Sequence, residues 1–105
     1  MKRVVVRYEV KPERVEEHKA LMRGVFEALA EAKPPGLGYE ALQLADGRSF
    51  VHVATIAVED NPLVRLPAFK AFTADIAARC EEPPVSSEAT LVGSYRSDGE
   101  AVAAE

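Results

Sequence analysis

The sequence predicts an α+β fold whose elements run in the order β-α-β-β-α-β. Three observations carry that reading. Four segments read as strands, the first with a clear period of two, hydropathy repeats at steps of three and four in two helical segments, and Pro or Gly stands where each element has to end. At 105 residues, 48% hydrophobic and 29% charged, the chain has an ordinary globular composition with room for one hydrophobic core.

The first strand is read over residues 3–10, with Val4, Val6, Tyr8 and Val10 on one face and Val5, Arg7 and Glu9 on the other. Lys11-Pro12-Glu13 then starts a helix, because Pro suits the first turn and Glu13, Glu16 and Glu17 suit its positive dipole end. Val15, His18, Met22, Val25, Phe26 and Leu29 form the apolar stripe of that helix to about Ala32, and Pro34-Pro35-Gly36 stops it. Strands are expected at 38–45 and 49–58. The Asp46-Gly47 pair between them favours a tight antiparallel hairpin. Residues 50–58 are apolar on both faces, which places that strand inside a sheet covered on both sides. After Asp60-Asn61-Pro62, a short turn over 62–66 leads into a second helix with Leu63, Leu66, Phe69, Phe72, Thr73, Ile76 and Cys80 on its stripe. Pro67 stands in the first turn of that helix. Glu81-Glu82-Pro83-Pro84 is expected to end it, and 87–96 to form the fourth strand.

This order is the split-βαβ, ferredoxin-like arrangement: a four-stranded antiparallel sheet with two helices on one face. Its first and third strands are central, in agreement with the doubly apolar third strand. Helices cover one face only, so a second copy of the sheet is expected on the other, giving a homodimer through sheet-to-sheet packing. The domain is expected to span 1–96, and the Ala/Glu/Gly-rich segment 97–105 to be a flexible tail.

The net charge of −4 disfavours nucleic acid as a partner and argues against anionic membranes. A single cysteine, Cys80, rules out an intramolecular disulfide and a multi-cysteine metal site. No charged leader with an apolar stretch opens the chain and no apolar run reaches membrane-spanning length, so a cytoplasmic location is expected.

Three stretches carry a resemblance to a known group: the opening Val-Val-Val-Arg-Tyr-Glu-Val-Lys-Pro-Glu, the Asp-Gly-Arg-Ser-Phe-Val-His-Val hairpin, and Asn-Pro-Leu-Val-Arg-Leu-Pro-Ala-Phe-Lys-Ala-Phe before the second helix. In these the chain resembles the dimeric α/β-barrel superfamily, and within it the antibiotic biosynthesis monooxygenase-like proteins, over roughly residues 3–96. The resemblance implies two sheets packed face to face across a dimer, with a small pocket in each subunit between sheet and helices. It also implies an activity drawn from a varied set. Some members oxidise quinol-like or polyphenolic substrates with O₂ and neither metal nor flavin; others degrade haem, or isomerise or dehydrate small molecules. Oxygenases of this group often place Asn and Trp in the pocket. This chain departs from that pattern, with no Trp and a single Asn, Asn61, in a turn.

His52 is the most informative polar residue, set in an apolar strand between Phe50 and Ala54. Facing a pocket, its imidazole could bind or deprotonate a phenolic hydroxyl; otherwise it is a structural histidine held by a backbone or tyrosine partner. His18, on the first helix's stripe, could face the same pocket, but two histidines without a third ligand do not make a metal site. Tyr8 shares the apolar face of a central strand and Phe69 and Phe72 offer an aromatic wall, although residues so placed more often serve as core. The same holds for Tyr39 and Tyr95. Cys80, followed by Glu81 and Glu82, is not placed to be a nucleophile. The candidate site is therefore His52 as catalytic group with Tyr8, His18, Phe69 and Phe72 against the substrate, no metal and no cofactor. The corresponding function is cofactor-independent oxygenation of a small planar aromatic, a quinol or polyphenol. The alternative is a dimeric module that binds a small apolar ligand without transforming it.

Overall fold

The alternating segments form strands β1 (Lys2–Val10), β2 (Leu37–Gln43), β3 (Ser49–Ile56) and β4 (Cys80–Ala89) in the computed structural model, which describes residues 1–97 and the backbone of 102–103. They make one sheet of order β2-β3-β1-β4, antiparallel throughout, with β3 and β1 central as the sequence required. The helical segments form α1 (Val15–Ala32), after a 3-10 turn at Pro12–Arg14, and α2 (Pro67–Ala74), after a 3-10 turn at Pro62–Arg65. A single further turn, α3 (Ile76–Arg79), runs straight into β4. Both long helices lie on the same face of the sheet.

Register decides what that face carries. Val6 stands opposite His52, Tyr8 opposite Phe50, Ala41 opposite His52 and Tyr39 opposite Ala54. Since side chains alternate across a strand, Tyr8, His52 and Tyr39 all project to the helix side from three adjacent strands. Around them are two apolar clusters. One is Tyr8, Val10, Phe50 and Cys80 with Val15, Met22 and Ile76 against it; the other is Ala54, Ile56 and Leu63 with Leu29, Leu37 and Phe69. The chain leaves α1 through Lys33 in the left-handed region, whose N–H bonds to Leu29 O at 2.8 Å. Gly36 follows at φ 75° with its carbonyl accepting from Ala57 N, and a Cβ there would overlap the Val58 side chain.

Two boundaries differ from expectation. The fourth strand begins at Cys80 rather than 87, so Glu81-Glu82-Pro83-Pro84 belongs to the strand instead of stopping the helix. Proline is tolerated because β4 is an edge strand and its pairing with β1 shifts register between Arg7 and Glu9, opposite this stretch. Cys80 is accordingly the first residue of β4, not the end of the second helix's stripe. Gly93–Ser94 (β5) pairs instead with Val102–Ala103 (β6) in a separate two-stranded ladder. The rest of the expected tail beyond Ser97 lies outside the described residues.

The opposite face of the sheet carries Val5, Val51 and Val53 at its centre, flanked by Leu42 and Val85 at 52% and 65% exposure. Among the described residues no helix lies on this side.

Candidate functional site

The three sheet residues facing the helices are joined by hydrogen bonds to two others. Tyr8 Oη lies 2.6 Å from His52 Nε2 and 2.6 Å from His18 Nε2. Tyr39 Oη lies 2.5 Å from the other nitrogen of His52, Nδ1. On the far side, Arg79 Nε donates to His18 Nδ1 at 3.0 Å, and another guanidinium nitrogen donates to Phe72 O. The result is a continuous chain, Arg79–His18–Tyr8–His52–Tyr39, that runs from α3 through α1 and across β1 and β3 to β2. His18, His52 and Arg79 are buried, at 0%, 4% and 1% exposure, and no buried side-chain nitrogen or oxygen among the described residues lacks a partner. Burial of so many polar groups is affordable only in such a fully satisfied network.

Burial dictates the protonation of the chain. It lowers the pKa of both histidines to about 4, in His18 with help from the positive charges of Arg79 and of His52 when protonated, and against Glu17. Burial likewise raises the phenols of Tyr8 and Tyr39 well above the usual tyrosine range. Near neutrality both imidazoles and both phenols are therefore uncharged.

Beside this chain, between the sheet and α2, lies a cavity of about 240 Å³. Its sheet wall includes Tyr8, His52 and Tyr39 together with Val4, Val6 and Ala54; its helix wall includes Phe69, Phe72, Thr73 and Ile76. Phe72 packs on the His52 ring with centroids 5.8 Å apart, and Phe69 meets Tyr39 edge-on at 6.3 Å. Tyr39 is fixed from behind by Phe26 of α1, stacked at 5.3 Å and 19°. Such a space suits a flat apolar body with an oxygen directed at the tyrosine–histidine end.

Of the residues singled out from the sequence, His52, Tyr8, Phe69 and Phe72 line this one cavity. His18 does not; it stands behind Tyr8, fully buried, and meets the cavity lining through the Tyr8 hydroxyl and the Phe72 ring, 5.0 Å away. Three others belong to the site although the sequence did not place them in it. Arg79 sits seven residues after Phe72 and three after Ile76, a helical spacing that signals burial despite its charge. Tyr39, weighed from the sequence mainly as a packing aromatic, shares the helix-facing side of β2 with Leu37 and Ala41. Asn61, expected only in a turn, also lines the cavity while its Oδ1 accepts from Leu63 N and caps the short turn there. Among the described residues no cluster of three or more His, Cys, Asp or Glu side chains is arranged around a common point, and no helix is long and apolar enough to cross a membrane. Burial raises the Cys80 thiol pKa, which keeps it protonated.

No protein-family model and no curated protein matches the chain. Its fold is shared with solved structures. A candidate antibiotic biosynthesis monooxygenase of Nitrosomonas europaea superposes with a TM-score of 0.70 at 20% identity, over 88% of this chain and 99% of that one. A conserved protein of Methanosarcina mazei gives 0.69 at 21% identity, over 84% and 89%. SnoaB of Streptomyces nogalater, a cofactor-independent oxygenase in a single-substitution form, gives 0.63 at 19% identity, over 86% and 91%. The chain thus has the fold of the antibiotic biosynthesis monooxygenase-like proteins, as its sequence resemblance implied.

Proposed function

We propose that the protein is a cofactor-independent oxygenase for a small planar aromatic of the quinol or polyphenol class, acting as a homodimer. The observation that carries this reading is the cavity itself: an apolar slot with phenylalanines on the helix wall and a neutral, hydrogen-bonded Tyr8–His52–Tyr39 cluster on the sheet wall. The ring would lie against Phe69 and Phe72 with one oxygen at Tyr39. A quinol that keeps one ring hydrogen supplies all the electrons needed. It gives up two in becoming the quinone and two more in exchanging C–H for C–O, so that one atom of O₂ enters the ring and the other leaves as water. The protein's part is to favour the oxygen-reactive anion by hydrogen bonding and to hold it away from bulk water. His52 has both nitrogens bonded to tyrosines, so in this reading it acts on the substrate through Tyr39 rather than by meeting the hydroxyl itself. The outer sheet face, with Val5, Val51 and Val53, is the dimer surface in the same proposal.

Oxygen uptake by the purified protein with a panel of reduced naphthoquinones tests it, with His52→Ala as control. Uptake above autoxidation that falls at least ten-fold in the variant is expected; no uptake across the panel would leave a cavity that binds without converting. That second reading, a ligand-binding dimer, has one observation in its favour. Every ring nitrogen of His18 and His52 already has a protein partner, so neither imidazole offers a free base.

A further inference from the structure

We propose that Arg79 fixes the direction of the hydrogen-bond chain, so that Tyr39 Oη offers its proton to the cavity and selects ligands bearing a carbonyl or oxyanion there. The inference rests on the cavity being a ligand site, and it concerns which chemistry that site accepts.

The direction follows from counting protons. A guanidinium has donors and no acceptor, so the 3.0 Å contact from Arg79 Nε obliges His18 Nδ1 to present its lone pair. The one ring proton of neutral His18 then sits on Nε2 and is donated to Tyr8 Oη. Tyr8 has a single hydroxyl proton and its other partner is His52 Nε2, so it donates there. His52 consequently carries its proton on Nδ1 and donates to Tyr39 Oη. Each link determines the next. Tyr39, whose side-chain partner among the described residues is that nitrogen, is left with its own O–H uncommitted on a residue that lines the cavity. Reversing the chain would require a proton on His18 Nδ1, facing the Arg79 N–H across the same gap, and protonating His18 meets the same obstacle. Arg79 is therefore a positioning residue, acting through three intervening side chains, and Tyr39 is the group that touches the ligand. A donor at that point favours an acceptor oxygen, whether a ketone, a quinone or the anion of a phenol, over a group of equal size without one.

Nitrogen NMR of the imidazole rings in the unsubstituted protein reads the direction without altering it. The expected tautomers are Nε2–H for His18 and Nδ1–H for His52; the opposite tautomer at either ring overturns the proposal. Arg79→Lys, which keeps a donor, should preserve these tautomers, whereas Arg79→Met should give a mixture; unchanged single tautomers in the Met variant would also overturn it. The acceptor preference is read with α-tetralone and tetralin, two probes of nearly equal size of which only the first carries a carbonyl. Tyr39→Phe should weaken α-tetralone binding about ten-fold and leave tetralin unaffected. Equal effects on both would show that Tyr39 only packs. None of these readouts involves oxygen, so absence of turnover would count against the proposed oxygenase while the tautomers and probes decide this inference separately.

Discussion

Arg79 Nε lies 3.0 Å from His18 Nδ1, and this contact ties the last helical turn before β4 to the first turn of α1. The guanidinium is buried, and among the described residues no carboxylate pairs with it. Its partners are an imidazole lone pair, the Phe72 carbonyl and the face of the Phe72 ring, 5.4 Å from the guanidinium carbon. His18→Ala removes the imidazole acceptor and leaves a buried cation under-solvated, with a cavity beside it. Such a change is expected to cost about 3–5 kcal/mol of unfolding free energy in urea denaturation. His18→Gln, which can return an acceptor oxygen, should cost less; equal losses would mean that packing alone is at stake.

The buried imidazoles give stability a definite pH dependence. His18 faces Arg79, Tyr8 and, at longer range, Glu17 and His52; His52 faces Tyr8, Tyr39 and the Phe72 ring. Each has its pKa lowered from 6.5 to about 4, so between those values the unfolded chain binds more protons than the folded one. Stability is therefore complete above the unfolded value and falls as pH drops toward about 4, by at most about 1.4 kcal/mol per pH unit for each histidine. Asp46, held at about 2 by the Ser49 hydroxyl and the Arg48 and Ser49 amides, loses its contribution only at lower pH. Urea midpoints that do not change between about pH 7 and about pH 4 would contradict the burial of neutral histidines.

Gly36 is the residue on which the α1–β2 connection turns. Its φ of 75° and its approach to Val58 leave no place for a Cβ. Gly36→Ala is expected to destabilise by about 1–3 kcal/mol, whereas Gly47→Ala, at φ 78° but with open space around it, should cost less. Thermal or urea unfolding of the two variants compares them directly.

The outer face of the sheet predicts association. Val53 stands at its centre, paired with Val5 on β1 and Glu40 on β2. Val53→Lys should convert a dimer to a monomer in sedimentation while far-UV circular dichroism stays the same, because this side chain is not needed for the helix-side core. A wild-type protein that sediments as a monomer would remove the dimer from the account.

The sheet order and the helix-facing positions were legible because β1 alternates at two residues, β3 is apolar on both faces as a central strand must be, and the Asp46-Gly47 turn fixes the β2–β3 pairing. The start of β4 was not, because prolines 83 and 84 read as a stop. Only the edge position of the strand makes them acceptable, and edge position is a property of the sheet. His52, Tyr8, Phe69 and Phe72 were found because pattern placed them on inward faces. Arg79 was missed for the complementary reason. A charged residue on a helix is ordinarily solvated, and what buries this one is His18, distant in sequence and brought near only by the packing of α1 against α2 and α3. Tyr39 looked like one more packing aromatic until His52 stood beside it.

The central claim, that the cavity inserts oxygen into an aromatic ring, is tested most directly with isotopically labelled dioxygen and a reduced naphthoquinone that retains a ring hydrogen. Mass spectrometry of the product from the unsubstituted protein should show one labelled oxygen atom bonded to the ring, with the labelled product falling about ten-fold or more in Tyr39→Phe and His52→Ala. A product carrying no label, or label incorporated equally without protein, would contradict the account.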